Sequence, residues 1–65
     1  MEAYEWWKRE FLNYIDYIGL NYGVLGDCVT CIDENGHKLG SIDLKEAWEK
    51  DMLCIEMILV LEGRR

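Results

Sequence analysis

Apolar residues recur at helical spacing over the first eighteen positions, as Tyr4, Trp7, Phe11, Ile15 and Ile18, with Tyr14 beside them. This period predicts an amphipathic helix from Ala3 to Ile18 whose stripe faces a core. Trp6, Glu10, Asn13 and Tyr17 form a second line, three to four residues apart, that points away from the stripe. Two aromatics on that line either cover the edge of a small core or anchor a partner. Gly19 suits the left-handed position that closes a helix, and Gly23 and Gly26 punctuate the chain beyond it. The pattern then changes. Tyr22, Val24 and Leu25 make a short first strand, and Cys28–Asp33 and Lys38–Ile42 are β-rich runs flanking Glu34-Asn35-Gly36-His37. Asn-Gly between such runs predicts a hairpin. A two-residue turn would pair Glu34 with His37 and Ile32 with Leu39. A three-residue turn with Gly36 as a bulge would pair Cys31 with Leu39 instead, and each choice sends different side chains to the core.

The segment from Asp43 to Glu62 is rich in Leu, Met, Glu, Lys and Ala and contains no Gly or Pro, so it reads as one long helix. Asp43 and Glu46 have the spacing of a capping box, with Ile42 and Ala47 at the staple positions. Gly63 suits the closing position, with Arg64 and Arg65 beside the negative end of the helix dipole. At 100° per residue, Leu44, Ala47, Trp48, Cys54, Ile55, Ile58 and Leu61 share one side, with Asp51 among them, where a buried carboxylate would need a donor. Leu53, Met57 and Val60 fall off that side and would need a second cover. The rival reading ends the helix near Lys50 and makes Leu53–Leu61 a strand. The order of elements gives an α+β chain, residues 1–65 forming one domain, with both helices on one face of a small antiparallel sheet.

Composition narrows the chemistry. A chain of 65 residues buries only about 60% of its unfolded surface, which leaves little room for an enclosed catalytic cavity. The N-terminal residues Met1-Glu2-Ala3-Tyr4-Glu5 are acidic where a secretion signal would be basic, and the one apolar run is too short to span a bilayer. Three cysteines, an odd number, fit reduced thiols and a cytoplasmic location. Cys28-x-x-Cys31 with His37 and Cys54 raises a zinc-stapled adaptor. Val29-Thr30 between the cysteines favours a strand, however, and a strand sends its positions three apart to opposite faces. The thiols therefore read as small core residues, with no metal and no cofactor. His37 lies beside a turn with no nucleophile placed near it by spacing. No phosphate loop, zinc-protease helix or nucleophile elbow occurs. The residues point to a protein that is not an enzyme.

Carboxylates are what remain. Acidic residues number 13 against 7 basic, and the net charge is −6. Asp27, Asp33 and Glu34 go with the sheet, Asp43, Glu46 and Glu49 with the start of the later helix, and Glu2, Glu5 and Asp16 with the first helix. Such a balance repels nucleic acid and attracts basic surfaces. In size, charge and element order the whole chain resembles the small phage-encoded anti-CRISPR proteins, particularly those acting on type I surveillance complexes. The resemblance implies steric or charge-based blocking of the basic DNA-entry surface of a Cas subunit. From acidity and expected exposure, the candidate contacts are Asp33, Glu34, Asp43, Glu46 and Glu49 for steering, with Trp6 and Tyr17 as an anchor. The expected protein is thus an acidic inhibitor, monomer or homodimer, that mimics DNA to a larger nucleic-acid-binding partner and touches neither nucleic acid nor membrane itself. Its rival is a homo-oligomeric module joined through Leu53, Met57 and Val60.

Overall fold

The computed structural model describes residues 3–64. Helix α1 (Ala3–Tyr17) is followed by strands β1 (Tyr22–Leu25), β2 (Cys28–Ile32) and β3 (Lys38–Asp43), then by helices α2 (Leu44–Glu49) and α3 (Cys54–Leu61). The strands form one antiparallel sheet in the order β1-β2-β3. The expected α+β class, the first helix and the small antiparallel sheet are all present. Glu2 on the first helix and Arg65 beside the last one lie outside the described residues.

The long second helix is not formed. It breaks after Glu49, and Lys50–Leu53 form a turn and a short connection before α3 begins. The break has a local cause. Asp51 takes the left-handed conformation at φ +55°, its N–H donates to the Trp48 carbonyl at 3.2 Å, and the Met52 N–H donates to that of Ala47 at 3.0 Å. This paired arrangement closes a helix by satisfying its last carbonyls. The same pair of bonds ends α1 at Gly19 and α3 at Gly63, both with positive φ. Asp51 therefore does the work that glycine does at the other two ends, which is why a search for glycine misses it. The rival sequence reading placed this break correctly but made the following segment a strand. Instead α3 is nucleated afresh, with Glu56 Oε1 accepting from the Leu53 N–H at 3.1 Å.

The break also changes which residues face inward. With α3 free to turn relative to α2, Met57 and Leu61 are fully buried while Cys54 and Ile55 are exposed, the reverse of the single-helix phase for Met57, Cys54 and Ile55. Asp51 is exposed rather than buried in the core. The core joins Phe11 and Ile15 of α1, Val29 and Cys31 of β2, Leu44 and Ala47 of α2, and Met57 and Leu61 of α3. Ile18 and Tyr14, expected with the α1 stripe, stay largely outside it.

In the β2–β3 connection, Asp33 and His37 close the loop, with the Asp33 N–H donating to the His37 carbonyl at 2.8 Å and the Gly36 N–H to that of Asp33 at 3.0 Å. Gly36 lies at φ +83°. Asn35-Gly36 thus does not form the two-residue turn, and Glu34 does not pair with His37. Nor does Leu39 pair with Ile32 or Cys31. Ile32 faces Lys38, Cys31 faces Gly40, and an irregularity between them leaves Leu39 without a partner across the ladder. That offset brings Gly40 opposite Cys31, on the face where α3 crosses, and an added Cβ at Gly40 would overlap the Val60 carbonyl oxygen. The bare backbone at Gly40 is what lets α3 lie directly on β3.

Candidate functional site

Helix α1 presents its second line as the spacing predicts. Trp6 is 53% exposed and Tyr17 87% exposed, on the side away from the buried Phe11 and Ile15. Behind them an aromatic cluster fixes the helix in place. Trp7 stacks on Phe11 with ring centroids 6.0 Å apart and 15° between planes, and its ring lies 5.2 Å from that of Trp48 in α2. Tyr4 meets Trp48 edge-on at 5.9 Å. Trp6, Trp7, Glu10, Phe11 and Tyr14 of α1, together with Cys54 at the start of α3, line a groove of about 270 Å³. Sequence reasoning placed Glu10 on the line of Trp6 but did not include it, Tyr14 or Cys54 in the site. Glu10 and Tyr14 were legible, one and two helical turns beyond Trp6. Cys54 was not, because it reaches the groove only once α3 is a separate helix.

The five acidic candidates divide into two groups. Asp33 and Glu34 belong to the loop beyond the Ile32–Lys38 pair, whereas Asp43 closes the other end of β3. At roughly 3.4 Å per residue, the length of β3 keeps these groups about 17 Å apart. Asp33 is half-buried and holds its own loop, accepting from the backbone N–H of Asn35 at 2.9 Å and of His37 at 2.8 Å. Glu34 is exposed at the tip. Asp43 caps α2 by accepting from the Glu46 N–H at 3.0 Å, as the capping spacing predicts. Glu46 is bound 2.7 Å from Lys50, and this carboxylate raises the Lys50 pKa above its ordinary value, first through the hydrogen bond and then through charge. Glu49 is exposed, with no bond to another described residue. Of the five, Glu34 and Glu49 bond to no other described residue, Glu46 keeps part of its carboxylate accessible, and Asp33 and Asp43 are tied to the fold.

One carboxylate outside the candidate set organises the structure. Asp27, in the β1–β2 turn, accepts from the Tyr4 hydroxyl at 2.6 Å and from Lys8 Nζ at 3.2 Å, and its carbonyl accepts from the Leu44 N–H at 2.7 Å. Lys8 Nζ also donates to the Gly26 carbonyl at 2.8 Å. These bonds latch the start of α1 and the start of α2 to the same turn. The hydrogen bonds from Tyr4 and Lys8 hold the Asp27 carboxyl below its usual range, while burial and the bond to Asp27 push the Tyr4 hydroxyl well above its own.

Cys28 is exposed and Cys31 buried, so their sulfurs leave opposite faces of β2 and point away from a shared ion. Burial, and next the charge of Glu62, pushes the Cys31 thiol up, and partial desolvation raises that of the exposed Cys54. Both therefore stay protonated near neutral pH and are poor nucleophiles. Among the described residues, no three His, Cys, Asp or Glu side chains converge as a metal site, and no helix is long and apolar enough to cross a membrane. No known protein family, curated protein or solved structure matches this chain.

Proposed function

We propose that the chain is a non-enzymatic binding protein that occludes a basic surface of a larger nucleic-acid-handling protein. The observation that carries this reading is the outward line of α1. Trp6 and Tyr17 stand exposed on a helix whose core stripe is already filled, and they lie on a chain of net charge −6. Aromatic anchors beside uncompensated negative charge are the features a protein uses to hold and orient a cationic partner. Glu46 and Glu49 on α2 supply long-range attraction, and Glu34 adds to it from the loop tip. The narrower form of the reading is an anti-CRISPR-like inhibitor that blocks DNA access to a Cas subunit, and it rests on chain length, charge and element order.

Affinity capture from the native host, at low and at high salt, tests the reading. A basic nucleic-acid-binding protein is expected to be retained at low salt and released at high salt. Its capture should fall at least tenfold with Trp6→Ala/Tyr17→Ala and fall again with Glu46→Lys/Glu49→Lys, while the thermal melts stay unchanged. Capture indifferent to both pairs and to salt overturns it.

The oligomer reading survives in altered form. Met57 is fully buried and Val60 half-buried, so the face Leu53-Met57-Val60 is not available. Exposed apolar side chains on this segment are instead Leu53 at 63%, Ile55 at 66%, and Leu59, and this row favours a second copy as the alternative partner.

A further inference from the structure

The α1 groove has a composition that selects its occupant. Two of its lining residues form rigid aromatic surface: Phe11 is buried at its base, and Trp7 is held between Phe11 and Trp48. The rim carries Trp6 and the 46% exposed Tyr14. Glu10 is the only charged side chain lining the groove among the described residues, and it makes no bond to another described residue. At about 270 Å³ the groove is smaller than the 300–1,000 Å³ typical of sites that enclose a small-molecule ligand. It has the scale of a single side chain.

Three classes of occupant can be compared. An anion would meet the Glu10 carboxylate and the negative faces of the rings. An apolar side chain would strip water from Glu10 and return no hydrogen bond. A cation satisfies both parts, because indole and phenol faces attract positive charge and the carboxylate accepts its protons. A guanidinium fits better than an ammonium, since it is planar, weakly hydrated and able to stack on a ring while donating sideways.

We propose that the groove between Trp6, Trp7, Glu10 and Tyr14 is a receptor for one arginine side chain of a basic protein partner, with the guanidinium stacked on an indole face and bonded to Glu10. This assignment rests on the basic-partner reading above and names the contact through which that partner is gripped. The fixed position of Trp7 means that little ordering is needed when the arginine enters.

The test uses the full chain, two-dimensional NMR, and a six-residue peptide containing two arginines, compared with the same peptide carrying citrulline, which keeps the shape and removes the charge. The arginine peptide is expected to move the indole N–H signals of Trp6 and Trp7, and the citrulline peptide to bind at least tenfold more weakly. Glu10→Gln should weaken arginine-peptide binding about tenfold, Trp6→Ala should abolish it, and Asp16→Asn, at an exposed carboxylate outside the groove, should leave it unchanged, with thermal melts confirming that each variant is folded. Equal binding of the two peptides, or the absence of any arginine-peptide binding, overturns the groove. So does movement confined to amides around Glu46 and Glu49, although that result leaves a basic partner in place on a different surface. Host capture that is unaffected by Glu10→Gln but lost with Glu46→Lys/Glu49→Lys separates the two ideas in the same way.

Discussion

At the scale of single residues, Gly40 and Asp27 hold the assembly in different ways. Gly40 acts through the absence of a side chain. In Gly40→Ala the added methyl group meets the backbone of Val60 and Leu61, which cannot rotate out of the way. The expected loss is about 3 kcal/mol, the upper end of ordinary overpacking. Gly23→Ala is the control, because its Cβ meets nothing within 4 Å, and its urea midpoint should stay near the parent's. Asp27 acts through charge. Its carboxyl titrates below its usual range when folded, so its contribution is present above the unfolded pKa and is lost as pH falls through the lower folded value. Tyr4 behaves in the opposite sense. Its folded pKa is raised from 10.0, so its contribution is complete below about pH 10 and fades as pH rises through the folded value. Tyr4→Phe is therefore expected to flatten both the acid and the alkaline limbs of the stability–pH curve, as followed by circular dichroism in urea. Unchanged limbs would mean that the latch is unformed in solution.

At the scale of elements, the decisive event is the break at Asp51. A left-handed conformation costs a residue with a Cβ about 1–2 kcal/mol, and aspartate pays less of this than most because its short polar side chain tolerates the region. Asp51→Ala should destabilise the protein by about 1 kcal/mol, whereas Asp51→Gly should be neutral or stabilising, in chemical denaturation. If Asp51→Ala were instead more stable, the two helices would be fusing into the single helix that composition favours. The sequence made much of the fold readable at this scale. The period of Phe11 and Ile15 marked α1, glycine marked two of the three helix ends, and the Asp43–Glu46 spacing marked the start of α2. Two decisions lay outside its reach. The helix propensities of Lys50, Met52 and Leu53 hid an end closed by aspartate. The β2–β3 register contains an irregularity at Leu39 that sets Gly40 under α3, a tertiary contact that no local pattern encodes. The candidate site was legible to the same degree: Trp6 and Tyr17 followed from helical spacing, whereas the separation of Asp33 and Glu34 from Asp43 required the sheet.

At the scale of the whole molecule, one outer region is apolar and free of charge. β1 and β2 contain no charged residue, and the sheet face turned away from the core carries Leu25, 86% exposed, beside Cys28, Thr30 and Ile32. β1 is paired on one side only, and it lacks the lysine, proline or bulge with which proteins usually blunt an outer strand. Another row of backbone could therefore be added there without breaking any bond already made, and mutual repulsion between copies of net charge −6 opposes such pairing. Dissolved ions shrink the reach of that repulsion to about 8 Å at 0.15 M. Raising the ionic strength should consequently act in two directions at once, loosening the hold on a cationic target while letting identical molecules stack side by side. Light scattering that climbs with sodium chloride, and stays flat for Val24→Lys, would show the second effect.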